Sequence, residues 1–152
     1  METTTATAKQ MAYSDMASGL PAAFKPFFDG TAQREIRFPR CDDCGCFHWY
    51  PKASCPHCGS QKLRWQAARS SGRLYSWTVL RHAFSDADRD RLPQVLALIE
   101  FEDVPGVRLV SRLECGDADL ACGTPVVPRF SAAQGDPAPL SFCLASDAET
   151  DA

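Results

Sequence analysis

The amino-acid sequence predicts a mainly β fold in three parts: a short N-terminal helix, a cysteine-knuckle ribbon and a five-stranded barrel. Three observations predict it. Residues 41–59, "CDDCGCFHWYPKASCPHCG", hold five of the eight cysteines of this 152-residue chain, arranged as two CxxC-G knuckles. One short stretch before them spaces its apolar residues at helical intervals, and the stretches after them are of strand length, separated by Gly, Pro and Asp.

Composition narrows the function classes. Hydrophobic residues at 45% and charged residues at 23% suit a soluble globular domain rather than a disordered or fibrous chain. No run approaches the roughly 18–20 apolar residues of a membrane span, and "METTTATAKQMAYSDM" lacks the basic and apolar regions of a signal peptide. The expected location is therefore cytoplasmic, where cysteines bind metal or pack as small apolar residues rather than forming disulfides. The net charge of -3 conceals an asymmetry: residues 25–81 carry ten Lys/Arg against four Asp/Glu, and the remainder six against fifteen. The basic part could face phosphates.

The elements follow in order. Residues 1–19, rich in Thr, Ala and Ser without an apolar period, and the small, acidic residues 147–152 read as disordered tails. In "LPAAFKPFFDG", Leu20, Phe24, Phe27 and Phe28 share a helical face, Pro26 makes the helix short or late, and Gly30 is its expected stop. In "REIRFPRC", Ile36 and Phe38 alternate with Glu35 and Arg37, a strand that delivers the chain to Cys41, with Pro39 at an edge or end.

After the knuckles, "GRLYSWTVLRHAF" puts Tyr75, Trp77 and Val79 on one face of a strand and Ser76 and Thr78 on the other. The charged stretch "FSDADRDRLPQ" is expected to run over the surface. "PQVLALIEFED" is apolar on both faces over Val95–Ile99, as in a strand covered on two sides. A turn at "DVPG" joins it as a hairpin to "VRLVSRLE", and "GTPVVPRFSA" and "PLSFCLA" supply two further strands. Five short strands after a ribbon suggest an OB-type barrel. Residues 20–64 are assigned to helix and ribbon, 65–146 to the barrel.

The knuckles carry the strongest chemical signal. Two residues between cysteines let a tight turn aim both sulfurs at one ion, and the glycines Gly45 and Gly59 supply the positive φ that brings amides to those sulfurs. Cys41, Cys44, Cys55 and Cys58 together complete a tetrahedral thiolate site, expected to hold Zn2+ at about 2.3 Å, with a rubredoxin-like iron the minor alternative. Four thiolates leave no open position, so the metal is structural rather than catalytic. Cys46, His48 and His57 lie nearby and are expected to be unliganded.

Outside the knuckles the candidates for a cysteine nucleophile are Cys115, Cys122 and Cys143, with His82 the one histidine beyond the ribbon. Each cysteine sits in an apolar or turn setting suited to a packed thiol. No Gly-rich phosphate loop, HExxH helix or GxSxG elbow occurs, so no catalytic residue is assigned. Trp49, Tyr50, Trp65, Tyr75 and Trp77 could stack on bases, or could equally pack ribbon against barrel. The acidic total and the lack of a dense Lys/Arg run weigh against nucleic acid.

The order of "FKPFFDG", "CDDCGCFHWYPKASCPHCGS", "GRLYSWTV", "PQVLALIEFED" and "GTPVVPRF" resembles the zinc-ribbon plus OB-fold proteins of domain-of-unknown-function family 35, over roughly residues 20–132. The resemblance implies a mainly β fold with a short N-terminal helix, a rubredoxin-like zinc ribbon and a C-terminal OB-fold barrel. It implies Cys41, Cys44, Cys55 and Cys58 as zinc ligands. It further implies a non-catalytic accessory subunit that binds and stabilises a thiolase-like enzyme, a thiolase, acyltransferase or steroid side-chain aldolase, acting on acyl-CoA. That partner would carry the catalytic residues, and acyl-CoA would meet this chain at the interface between them. Where the family often has a Pro-Pro-Arg run before the second knuckle, this chain reads "YPKAS", keeping the proline and the charge as Pro51 and Lys52 but departing at Tyr50. A single-stranded nucleic-acid-binding module is the alternative.

Overall fold

A computed structural model describes residues 21–69, 71–83, 86–115, 119–131 and 140–148. The expected N-terminal tail lies outside these residues, as does the C-terminal one beyond Ala148. The expected fold class holds: a short helix, a ribbon and a five-stranded barrel.

A 3-10 turn at Ala22–Phe24 leads into α1, Lys25–Ala32, with Pro26 in the first turn, where its missing N–H costs nothing. Lys25 pairs with Asp29 one turn on, at 2.7 Å. The helix does not stop at Gly30. It runs to Ala32 and closes in a Schellman motif in which Glu35 N–H donates to Gly30 O and Arg34 N–H donates to Thr31 O. Arg34, at φ 62, takes the left-handed position that glycine usually fills. Gly30 is needed instead for space, because a Cβ there would lie 3.0 Å from Glu35 O.

The chain then enters β1, Arg37–Cys41, which pairs antiparallel with β2, Leu63–Ala67, from Arg37↔Ala67 to Cys41↔Leu63. The sequence reading left β2 unassigned, although "LRWQA" alternates apolar and polar residues. It crosses the expected division at residues 64/65, so the ribbon's sheet continues to Ala67. Ile36 and Phe38 point into the core as expected, and both are fully buried.

The barrel comprises β3, Gly72–Leu80; β4, Gln94–Glu100; β5, Arg108–Glu114; β6, Pro125–Phe130; and β7, Leu140–Leu144, closed in the order β3-β4-β5-β7-β6. All pairs are antiparallel except β5 with β7. The hairpin expected at "DVPG" joins β4 and β5, with Gly106 at φ 82. The charged linker includes one helical turn, α2, Asp86–Arg89, and a last turn, α3, Ala145–Ala148, follows β7. Asp147 and Ala148, expected in the tail, belong to α3.

Two face assignments change. In β3 the register shifts between Leu74 and Ser76, so Tyr75 is the extra residue of a bulge. Leu74 is fully buried, while Tyr75 turns out to 42% exposure and packs its ring under the Arg108 guanidinium, 3.6 Å away. Tyr75 therefore does not share the face of Trp77. In β4, Ala97 and Ile99 are buried, but Leu96 and Leu98 on the opposite face are only half-buried, so the strand is fully covered on one side rather than two.

Ribbon and barrel share one core. Phe27, Ile36 and Phe38 from the helix and ribbon join Leu74, Ile99, Leu109, Leu113, Val126 and Phe142 from the barrel in a single buried cluster. Phe38 touches Trp49 on one side and Phe101 on the other, at ring-centroid distances of 5.5 and 5.4 Å. Two main-chain amides reinforce the joint, Ala68 N–H donating to Ile36 O at 2.8 Å and Arg69 N–H to the Asp103 side-chain Oδ2 at 3.0 Å.

Candidate metal centre

The two knuckles are built alike. In the first, Cys41 N–H donates to Cys46 O and Gly45 N–H to Cys41 O; in the second, Cys55 N–H donates to Ser60 O and Gly59 N–H to Cys55 O. Gly45 and Gly59 sit at φ 73 and 77, the positive values the spacing requires. Each turn aims amides at its own sulfurs: Asp43 and Cys44 at Cys41, Cys46 at Cys44, His57 and Cys58 at Cys55, and Ser60 at Cys58.

The four sulfurs converge. All lie within 4.8 Å of one another, with Cys41 Sγ 3.6 Å from Cys58 Sγ and Cys44 Sγ 3.6 Å from Cys55 Sγ. A tetrahedral ion with metal–sulfur bonds of about 2.3 Å separates its sulfurs by about 3.8 Å, so the pocket already has the size of such an ion's shell. Electrostatics agree. The Cys44 amide leads in drawing the Cys41 thiol down to about 7, against opposition from burial, and the Cys58 amide leads in lowering Cys55. The Cys46 amide also pulls Cys44 down, but burial and the other three sulfurs outweigh it and raise that thiol. Four sulfurs held this close retain protons unless a cation replaces them.

Side chains brace the knuckles from outside. Asp43 accepts from Ser60 Oγ at 2.7 Å and from Lys62 Nζ at 3.1 Å, and these two partners, Ser60 first, hold its carboxyl below the usual range. Arg64 pairs with Asp42 at 2.6 Å, and Arg40 Nε donates to Gly45 O at 3.1 Å. His48 is buried at 6% exposure, with neither ring nitrogen hydrogen-bonded among the described residues. Burial first, and the Lys52 charge second, lower its pKa. Sequence reasoning set Cys46 and His57 aside, yet the fold brings both within 4.8 Å of Cys44.

The remaining candidates do not gather into a nucleophilic site. Cys143 is buried in β7, and Cys122 is exposed. Burial, assisted by the Asp147 charge, raises the Cys115 thiol, the opposite of what an attacking thiolate needs. Of the rings that could stack on bases, Trp49, Trp65 and Trp77 pack against the core, while Tyr50 and Tyr75 are exposed. An open cleft of about 670 Å³ is lined by Arg34, Arg69 and Ser71 and by Val127, Pro128 and Phe130 of β6. No helix among the described residues is long and apolar enough to cross a membrane.

Comparison with known proteins agrees with this architecture. No curated protein matches the chain. Among solved structures, a chain of the Ltp2-ChsH2(DUF35) aldolase is 29% identical, superposes with a TM-score of 0.71, and is covered over 98% of its length by 84% of this chain. A DUF35-family protein of unknown function from Sulfolobus solfataricus, at 22% identity and a TM-score of 0.59, shares the fold over 87% of this chain and 95% of its own. Residues 28–64 match the family model for the ChsH2 rubredoxin-like zinc ribbon domain, and residues 65–131 match that for the ChsH2 C-terminal OB-fold domain. With these two domains in tandem over more than half its length, the chain belongs to the ChsH2 family of zinc-ribbon plus OB-fold proteins.

Proposed function

We propose that the chain is a non-catalytic accessory subunit that binds and stabilises a thiolase-like enzyme, of thiolase, acyltransferase or aldolase type, acting on an acyl-CoA thioester in the cytoplasm. Its zinc is structural. Cys41, Cys44, Cys55 and Cys58 hold the ion with a full thiolate shell, so the metal fixes the ribbon and offers no position to substrate. The amides of both knuckles stabilise the thiolate charge, and the Asp42, Asp43, Lys62 and Arg64 pairs hold the two turns in register.

The observation that carries this reading is the likeness, over 84% of this chain, to a chain of the Ltp2-ChsH2(DUF35) aldolase, combined with four convergent cysteine sulfurs. A protein whose metal is sealed, and whose core-buried thiol and raised thiol suit packing, supplies shape rather than chemistry. The cleft of Arg34 and Arg69 against Val127, Pro128 and Phe130 supports an acyl-CoA contact, since two arginines and an apolar wall line it. Such a wall suits a thioester chain, and the guanidiniums suit its phosphates.

The test is purification of the tagged chain from its host, with identification and stoichiometry of what accompanies it. A thiolase-fold enzyme in fixed ratio is the expected result. Absence of such a partner, together with oligonucleotide binding that weakens steeply with salt, would overturn the reading in favour of a nucleic-acid module.

A further inference from the structure

We propose that Cys44, Cys46 and His57 form a second metal site, which takes a soft d10 ion such as Zn2+ or Cd2+ and shares the Cys44 sulfur with the four-cysteine centre. The inference rests on the four-cysteine assignment, since Cys44 is common to both groups. Its sulfur and the donor atoms of Cys46 and His57 all lie within 4.8 Å of one another. A tetrahedral ion bound to sulfur at about 2.3 Å and to imidazole at about 2.0–2.1 Å asks for separations of about 3.5–3.8 Å. Small side-chain rotations close that gap.

The placement follows from the knuckles. Cys46 is fixed by its main chain, whose N–H points at Cys44 Sγ and whose carbonyl accepts from Cys41 N–H at 2.9 Å. That leaves its thiol as a half-buried side branch beside the first centre. His57 stands on the opposite knuckle, where its amide points at Cys55 Sγ and its exposed imidazole crosses towards Cys44. Two donors thus come from the first turn and one from the second, and a thiolate sulfur keeps lone pairs with which to bridge two ions. The donor set of two sulfurs and one imidazole selects thiophilic ions over Mg2+ or Ca2+. Three protein donors leave the fourth position to water, so this second ion exchanges while the first is sealed.

The test is a Cd2+ titration of the full chain, reduced and isolated with its metal, with all bound ions, zinc and cadmium together, counted per chain by native mass spectrometry after removal of free ion. Two ions per chain are expected in the wild type, and one each in Cys46→Ser and His57→Asn. His57→Asn serves as the check should Cys46→Ser fail to fold. A wild type that binds one ion overturns the second site and leaves the four-cysteine centre standing. Two ions retained in His57→Asn also overturn it, placing the extra ion elsewhere. A wild type that binds none refutes both sites.

Discussion

Phe38→Ala probes whether ribbon and barrel fold as one unit. The side chain is 0% exposed, and its ring meets Trp49 edge-on at 5.5 Å and Phe101 at 5.4 Å, so it bridges the metal-bearing half to the barrel. Truncating a fully buried Phe costs about 3–5 kcal/mol, and about 0.5–1.5 kcal/mol per aromatic pair contributes to that loss. Against a total stability of about 5–15 kcal/mol, the change corresponds to a fall in Tm of roughly 6–20 °C for a chain of this size. The assay follows circular dichroism and metal release to a chromophoric chelator in the same thermal ramp. In the wild type the two transitions coincide; in Phe38→Ala the barrel melts early and the transitions separate. A variant that melts within about 2 °C of the wild type, with coincident transitions, would refute the shared core as the coupling element.

Cys55→Ser should abolish stoichiometric zinc and lower ribbon stability, because a structural metal site contributes its binding free energy to folding; elemental analysis after gel filtration checks it. Gly72→Ala forces a Cβ to within 2.6 Å of Ile99 Cγ2 and 3.1 Å of Glu100 O, so denaturant unfolding should show a loss of about 1–3 kcal/mol. Burial first, then the Lys52 charge, depress the His48 pKa in the fold. Its stabilising contribution is thus fully present above the unfolded value and lost as pH falls through the lower folded value. His48→Leu should flatten that acid-side decline, and urea titrations across the range would expose an unchanged slope.

Local chemistry made the four-cysteine cluster legible. A CxxC-G turn is specified within five residues, so Cys41–Gly45 and Cys55–Gly59 could be read without knowing the rest of the fold. The faces of β5 were equally readable, because Leu109 and Leu113 are buried against exposed Arg108, Arg112 and Glu114. What escaped was non-local. Tyr75 was placed on the face of Trp77 and Val79 because a strict two-residue period cannot anticipate a bulge, and the signal, Leu74 beside it, was equally apolar. Gly30 looked like a stop, yet its missing side chain is needed for a close approach, while Arg34 takes the strained conformation. β2 was overlooked although "LRWQA" alternates apolar and polar residues, because so short a run directly behind the second knuckle gains its identity as a strand by pairing with β1. The proximity of Cys46 and His57 depends on how the two knuckles face each other, which no spacing reports.

The parallel β5–β7 pair has a bearing on the order in which the protein can be completed. β7 lies between β5 and β6 in the barrel, although it follows both in the chain. Until Leu140–Leu144 has left the ribosome, the barrel is an open sheet with an unpaired edge on β5 and another on β6. The ribbon has no such wait, since its last cysteine is residue 58 and its strand pair ends at Ala67. During synthesis, metal capture can therefore precede barrel closure, leaving a loaded ribbon as the platform on which the late strand is received.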